Sequence, residues 1–233
     1  MSISTQTEFW EGCWNFYDDP KYSDYNKNPK SVKEQASMNK ISGDEFEEDN
    51  RQWLKRQLDI LGHTELLVEK GDRLIKKPYG ALCNNHLRID GEWFDTDTIV
   101  GFINSDTNQL QPIAVLSAKL STQERVTQPM YCSLHYKTEF PNLLCGVVTR
   151  DTKDSHKNGE DANMYTRACK RAKESGLPKL DGIYVLRDED NVQGYRFGGM
   201  IRPMNELPRD IVDVYQEALG SQKEAETTPE IVW

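Results

Sequence analysis

Two acids and a lysine lie on neighbouring predicted strands, at a spacing that could bind a divalent cation beside a phosphodiester. The acids belong to Asp95-Thr-Asp97, and the lysine ends Ser117-Ala-Lys119. Carboxylate oxygens are the ligands that Mg²⁺ prefers, and lysine supplies a compact positive charge near a phosphate or an attacking water. A bound metal lowers the pKa of its water and stabilises charge on the phosphoryl group. These residue types therefore suit the hydrolysis of a phosphodiester.

A β-hairpin is predicted to bring these residues together. Residues 94–103 and 112–119 are short apolar runs with several β-branched residues, and the turn formers of 104–108 lie between them. Because side chains alternate along a strand, the two acids share one face, and so do the serine and the lysine. A turn in that cluster places Asp97 opposite the last residues of the second run. We therefore expect Asp97 and Lys119 to meet at one end of the hairpin.

A helix with an acid on its inward face is predicted before the hairpin. From Asp44 to Leu61 the apolar residues recur at helical spacing. Glu47 shares one helical face with Leu54 and Leu58, and an acid there must be paired, metal-bound or protonated. Glu47 is thus a candidate metal ligand. The alternative is a first-turn acid that interacts with the helix dipole.

Two segments resemble a known nuclease family. Ser117-Ala-Lys-Leu-Ser-Thr-Gln-Glu-Arg-Val-Thr-Gln128 resembles a segment of type II restriction endonucleases, in which a strand ending in Ser-x-Lys runs into a Glu-Arg-containing helix start. Gly43-Asp-Glu-Phe46-Glu47 resembles the start of the first core helix in the PD-(D/E)xK nuclease superfamily. The chain is thus similar, over residues 43 to 149, to the subset in which serine replaces the second acid.

The chain departs from the family pattern at two positions. No proline precedes Asp97, and Ser117 stands where an acidic ligand is usual. The second metal-binding carboxylate must then come from elsewhere, and Glu47 is the candidate for it.

The resemblance implies a fold, an activity and a site. The fold would be α/β (α+β), with a restriction-endonuclease-like core in which helices flank a central mixed β-sheet. The activity would be Mg²⁺-dependent, site-specific cleavage of double-stranded DNA by a homodimer, with a cognate modification methyltransferase in the same system. Asp97 would bind the metal, assisted by Glu47 or Asp95. Lys119 would position or activate the water, and Ser117 would complete the catalytic set.

Polar residues after the lysine strand are candidates for contact with DNA. Residues 121–124 fit a capping box, which predicts a helix start there and a kink at Pro129. Alternatively, the helix starts near residue 127 with Pro129 in its first turn. Either way, Arg125 and Gln128 lie near the hairpin end. Further candidates, whose side chains can hydrogen-bond to phosphates or base edges, are Arg150, Lys153, His156, Lys157 and Asn158.

The charge balance opposes DNA binding, because contact with phosphates dominates the affinity of nucleic-acid binders. The formal net charge is −9, with acidic clusters at 44–49 and 224–230. Between residues 119 and 175, however, ten basic residues stand against seven acidic ones, a surplus of three. A basic face on an acidic protein is therefore compatible with the sequence.

The remaining composition predicts a reduced, cytoplasmic protein. Five cysteines without a CxxC pair indicate free thiols rather than a zinc site or a disulfide framework. No segment has the length and apolarity of a membrane span, and no signal peptide is evident.

The chain is long enough for one domain with a full core. We expect an aromatic and polar arm at 1–40, a single nuclease domain at 41–220, and an acidic, disordered tail at 221–233. Within the domain, the core would span 43–149, and elements for DNA contact and dimerisation would span 150–219. Those elements are a basic helix at 163–175, strands at 181–187 and 193–201, and a terminal helix at 208–219.

Two other functions stay open at this point. One is a repair or recombination nuclease of the same fold that selects a DNA structure rather than a sequence. The other is a protein-interaction domain without enzymatic activity, in which the acidic clusters and the aromatic arm form the partner surface.

Overall fold

A mixed six-stranded β-sheet, flanked by helices, forms the centre of the molecule. The computed structural model describes residues 32–93, 96–119, 127–149, 180–185 and 201–227. Within these ranges the α/β architecture predicted from the sequence is confirmed.

Five α-helices and six strands are described. The helices are α1 (Val32–Ile60), α2 (Gly71–Leu74), α3 (Ala81–His86), α4 (Thr127–Glu139) and α5 (Leu207–Thr227). The strands are β1 (Leu67–Glu69), β2 (Thr98–Ile103), β3 (Leu110–Lys119), β4 (Leu144–Thr149), β5 (Gly182–Val185) and β6 (Ile201–Pro203). The strands lie side by side in chain order. The pairs β1–β2 and β2–β3 are antiparallel, and the later pairs are parallel.

Helices pack on both faces of the sheet, because successive strand residues point to opposite faces. Val147 belongs to one apolar cluster, which includes Tyr136 of α4. Its neighbour Val148 belongs to another, which includes Trp53 of α1 and Ile211 of α5. Fully buried side chains of this size each contribute about 1.5–3 kcal/mol of hydrophobic stabilisation. The sheet is therefore the middle of three layers.

The β2–β3 hairpin forms as predicted, with a loop at 104–109. The side-chain oxygen of Asn104 accepts hydrogen bonds from the backbone N–H groups of Asp106 (2.9 Å) and Thr107 (3.1 Å), an Asx turn. At the other end of the hairpin, Thr98 lies opposite Leu116. The residue before Thr98 therefore reaches the last residues of β3, as the sequence predicted.

A β-bulge divides the hairpin into two registers, between Val100 and Gly101. Val100 pairs with Ala114 but Gly101 pairs with Pro112, so Ile113 is the extra residue of β3. A Cβ atom on Gly101 would lie 2.3 Å from the carbonyl oxygen of Gln111. The bulge therefore requires glycine at this position.

Replacing Gly101 by alanine is expected to destabilise the protein by about 1–3 kcal/mol, since the new methyl group collides with backbone atoms. Urea unfolding of the two proteins measures the difference. The matched control is Gly43→Ala, because a Cβ at Gly43 meets nothing within 4 Å and alanine favours the helix. A Gly101→Ala protein as stable as the unmodified chain would contradict this account of the bulge.

Helix α1 begins at Val32, earlier than predicted, so Gly43 lies inside it rather than at its start. The residues between Val32 and Gly43 include neither proline nor glycine, so nothing local stops the helix from extending upstream. Residues 32–40, assigned from the sequence to an N-terminal arm, belong to this helix. Glu47 is not a first-turn residue, which removes the helix-dipole alternative.

The C-terminal helix also exceeds its predicted length. Helix α5 continues to Thr227, past the predicted end at Leu219 and into the segment expected to be a disordered tail. Residues 221–227 contain several good helix formers, including Gln, Lys, Glu and Ala. Among the described helices, none is both long and apolar enough to cross a membrane.

The elements after β4 are described only in part. Strand β5 confirms the described part of the strand predicted at 181–187, and residues 186 and 187 lie outside the described residues. Only β6 is described near the strand predicted at 193–201, and it begins where that prediction ended. The predicted basic helix at 163–175 lies outside the described residues.

Candidate active site

Asp97 is held by the last residues of β3. Its Oδ2 atom accepts hydrogen bonds from the backbone N–H of Ala118 (2.8 Å), Nζ of Lys119 (3.2 Å) and the hydroxyl of Ser117 (3.4 Å). Asp97 immediately precedes β2, and the pairing between β2 and β3 ends at Thr98 and Leu116. The Asp97 carboxylate therefore accepts the hydrogen bond of a β3 N–H group that has no backbone partner on β2. The structure thus brings together three of the residues selected from the sequence.

This arrangement is largely shielded from solvent. The side chains of Asp97 and Lys119 are 16% and 14% exposed, and Ser117 is buried. Electrostatic attraction is stronger in such surroundings than on an open surface. Ser117 contributes a neutral donor, which needs no compensating charge in its buried position.

Glu47 of α1 joins the same cluster. Its Oε2 atom accepts a hydrogen bond from Nζ of Lys70 at 3.3 Å, and its side chain is 16% exposed. Burial raises the pKa of Glu47, and the nearby Asp97 carboxylate raises it further, while Lys70 and Lys119 act in the opposite direction. The inward acid predicted from the helical pattern is therefore near enough to Asp97 for the two carboxylates to repel each other.

Two carboxylate oxygens of the cluster are available to a ligand. Among the described residues, no hydrogen bond reaches Oδ1 of Asp97 or Oε1 of Glu47. Mg²⁺ is commonly held by one or two carboxylates, with water and phosphate as its other ligands. Within the described ranges there is no group of three or more acidic, histidine or cysteine side chains fit to hold a metal. Two carboxylates match the number of protein ligands that Mg²⁺ commonly takes. Asp95 lies outside the described residues.

Arg51 fixes the main chain at Asp97, a role that the sequence analysis did not identify. Its Nη1 atom donates to the backbone oxygen of Asp97 at 2.7 Å, and its side chain is 6% exposed. Its Nη2 atom donates to Glu48 at 2.7 Å. That hydrogen bond is the main reason why the pKa of Glu48 is lowered to about 2. Arg51 lies one helical turn after Glu47, so the helical pattern that places Glu47 on the inward face also places Arg51 there.

Lys70 was missed for a different reason. It follows β1, a strand of three residues, which is too short for an alternating pattern to be recognised.

The predicted DNA-contacting residues are mostly outside the described residues. Helix α4 is described from Thr127, with Pro129 in its first described turn. Residues 120–126, where the first alternative places the helix start, lie outside the described residues. Gln128, beside Pro129, is exposed. The candidates that lie outside the described residues are Arg125, Arg150, Lys153, His156, Lys157 and Asn158.

Replacing Glu47 by glutamine is expected to raise the melting temperature of the metal-free protein by a few degrees at pH 7, a common result at functional carboxylates. A raised carboxyl pKa means that the native state binds the proton more tightly than the unfolded chain. The stabilisation that protonated Glu47 gives the native state is therefore fully present below about pH 4.5. It is lost as the pH rises through the pKa of Glu47 in the folded protein.

Thermal unfolding at pH 7 and pH 4 provides the measurement, and the gain should shrink at pH 4. The matched control is Glu45→Gln, an exposed carboxyl on the same helix. A Glu47→Gln protein that melts below the unmodified chain at pH 7 would refute the expectation.

Comparisons of the chain with models of protein families, with curated proteins and with solved structures found no match.

Proposed function

We propose that the chain is a Mg²⁺-dependent, site-specific double-strand DNA endonuclease of the restriction type, with a PD-(D/E)xK-like core. One observation carries the proposal. The Asp97 carboxylate is held by the end of β3 next to Lys119, and the carboxylate of Glu47 is near enough to interact with it electrostatically. Two carboxylates and an ammonium group thus share one shielded cluster, a combination suited to metal-dependent hydrolysis of a phosphodiester.

Each residue of the cluster has a role in the proposed reaction. Asp97 and Glu47 would hold Mg²⁺ through Oδ1 and Oε1. The bound ion would lower the pKa of its water and stabilise charge on the phosphoryl group. Lys119 would orient the attacking water or a phosphate oxygen, since its ammonium lies within hydrogen-bonding distance of Asp97. Ser117 and the Ala118 N–H would keep the Asp97 carboxylate in position.

Cutting both strands of a duplex requires two such sites, so we expect the active species to be a homodimer. Symmetric pairing of identical subunits is the common way to present two equivalent sites. Gln128, exposed in the first turn of α4, is a candidate for DNA contact. A cognate methyltransferase that protects the host DNA is expected in the same system.

A digest of plasmid and of mixed-sequence linear DNA tests the proposal, with Mg²⁺ or with EDTA, followed by sequencing of the ends. Discrete fragments that share an end sequence would support it. A smear, or cutting confined to branched DNA, would instead indicate a structure-selective nuclease. If the protein neither cuts nor binds DNA at low salt, and binds no metal, the activity is wrong and a protein-interaction domain is favoured. The Asp97→Ala protein, purified in parallel, excludes a contaminating nuclease.

A further inference from the structure

Among the described residues, each carboxylate of the cluster is paired with a lysine. Glu47 pairs with Lys70 at 3.3 Å, and Asp97 pairs with Lys119 at 3.2 Å. The two carboxylates and the two ammonium groups have formal charges that sum to zero. The neighbouring Glu48 is bound by two arginines, Arg51 and Arg73, so this second group adds a positive charge and not a negative one.

A divalent cation that enters this cluster would leave it with a charge of +2. The side chains are only 14–26% exposed, so water screens this charge less than it would on an open surface. A phosphodiester, which carries one negative charge, would restore part of the balance. Metal and DNA should therefore bind better together than separately.

Lys70 is the ammonium group that can leave its carboxylate. Among the described residues, its side chain pairs with Glu47 alone, and at 26% exposure it is the more accessible lysine. Lys119 is 14% exposed and binds the Asp97 oxygen that Ala118 and Ser117 also hold. The long, flexible lysine stem allows the Lys70 ammonium to move by several ångströms.

We propose that Lys70 couples metal binding to DNA binding: it neutralises Glu47 in the free protein and turns to a DNA phosphate when the metal takes its place. This inference rests on the proposed function. Coupling between two ligands is reciprocal, so DNA tightens the metal by the same factor by which the metal tightens DNA. Without Lys70, the cluster has a charge of −1 and attracts a cation before DNA arrives.

Titration with Mn²⁺, followed by the electron paramagnetic resonance signal of the free ion, tests the coupling. The unmodified protein and Lys70→Gln are each titrated alone and with a mixed-sequence duplex, after subtraction of a duplex-only blank. We expect Lys70→Gln to bind Mn²⁺ about 5–10-fold more tightly without DNA, at the lower end of common couplings. The tightening caused by the duplex should be correspondingly smaller than in the unmodified protein.

The matched control is Lys55→Gln, which removes the same charge from a lysine of α1 that pairs with Asp59. Its Mn²⁺ affinity should equal that of the unmodified protein. If Lys70→Gln binds Mn²⁺ no more tightly than the unmodified protein, the inference is wrong.

The Asp97→Ala protein separates the two proposals. Suppose that it loses both Mn²⁺ binding and DNA cleavage while Lys70→Gln binds Mn²⁺ as the unmodified protein does. The nuclease proposal is then supported and the proposed role of Lys70 is wrong. If the unmodified protein neither binds Mn²⁺ nor cuts DNA, both proposals fall.

Discussion

The Asp97→Ala protein is expected to lose Mg²⁺-dependent cleavage of DNA by a factor on the order of 10³ or more. The change removes a proposed metal ligand together with the acceptor that holds Lys119 and the Ala118 N–H. DNA binding should persist, because contacts with phosphates elsewhere on the surface dominate affinity. Initial rates of plasmid cleavage measure the first effect, and a gel mobility shift without Mg²⁺ measures the second.

Two further variants show which property of Asp97 matters. Asp97→Asn keeps an oxygen acceptor for the β3 donors but removes the charge, so it should stay folded and inactive. Asp106→Ala removes an exposed aspartate from the hairpin loop and should cut normally. Undiminished cleavage by either Asp97 variant would exclude this residue as the metal ligand.

The second large effect is expected from Lys119→Ala, with a loss of cleavage of roughly 10²–10⁴-fold, the range of a positioned proton-transfer group. Metal binding should be retained, because both carboxylates are still present and one opposing positive charge is gone. Single-turnover cleavage rates and Mn²⁺ titration together provide the measurement.

This result would differ in kind from that for Asp97, which should lose metal and activity together. Lys55→Ala serves as the control for loss of a lysine. If Lys119→Ala cut at the normal rate, the ammonium would have no part in catalysis. If it lost metal binding instead, its role would be structural.

The hairpin could be predicted because each of its signals is local. Short apolar runs with several β-branched residues and a cluster of turn formers define β2 and β3, and the turn alone brings Asp97 near Lys119. Glu47 could be predicted because the helical period relates it to buried leucines. These inferences needed no knowledge of any other part of the chain.

The features that the sequence did not indicate depend on contacts between distant segments. The bulge at Gly101 arises from the pairing of two strands, and neither strand contains it alone. Lys70 follows a strand of three residues that pairs with β2, so only the assembled sheet places it near Glu47. The upstream extension of α1 has a local reason instead: Gly43 resembles a helix boundary, whereas glycine in a helix interior costs only about 1 kcal/mol.

Asp97 is restrained at both ends, through its backbone oxygen by Arg51 and through its carboxylate by β3. The conformational entropy of this residue is therefore lost during folding and not when a ligand binds. Ligand affinity at Asp97 should then depend on residues that never touch the ligand. Loosening the Arg51 contact would weaken binding while every ligating atom remained in the chain, and the loss would appear in the entropy of binding rather than in its enthalpy.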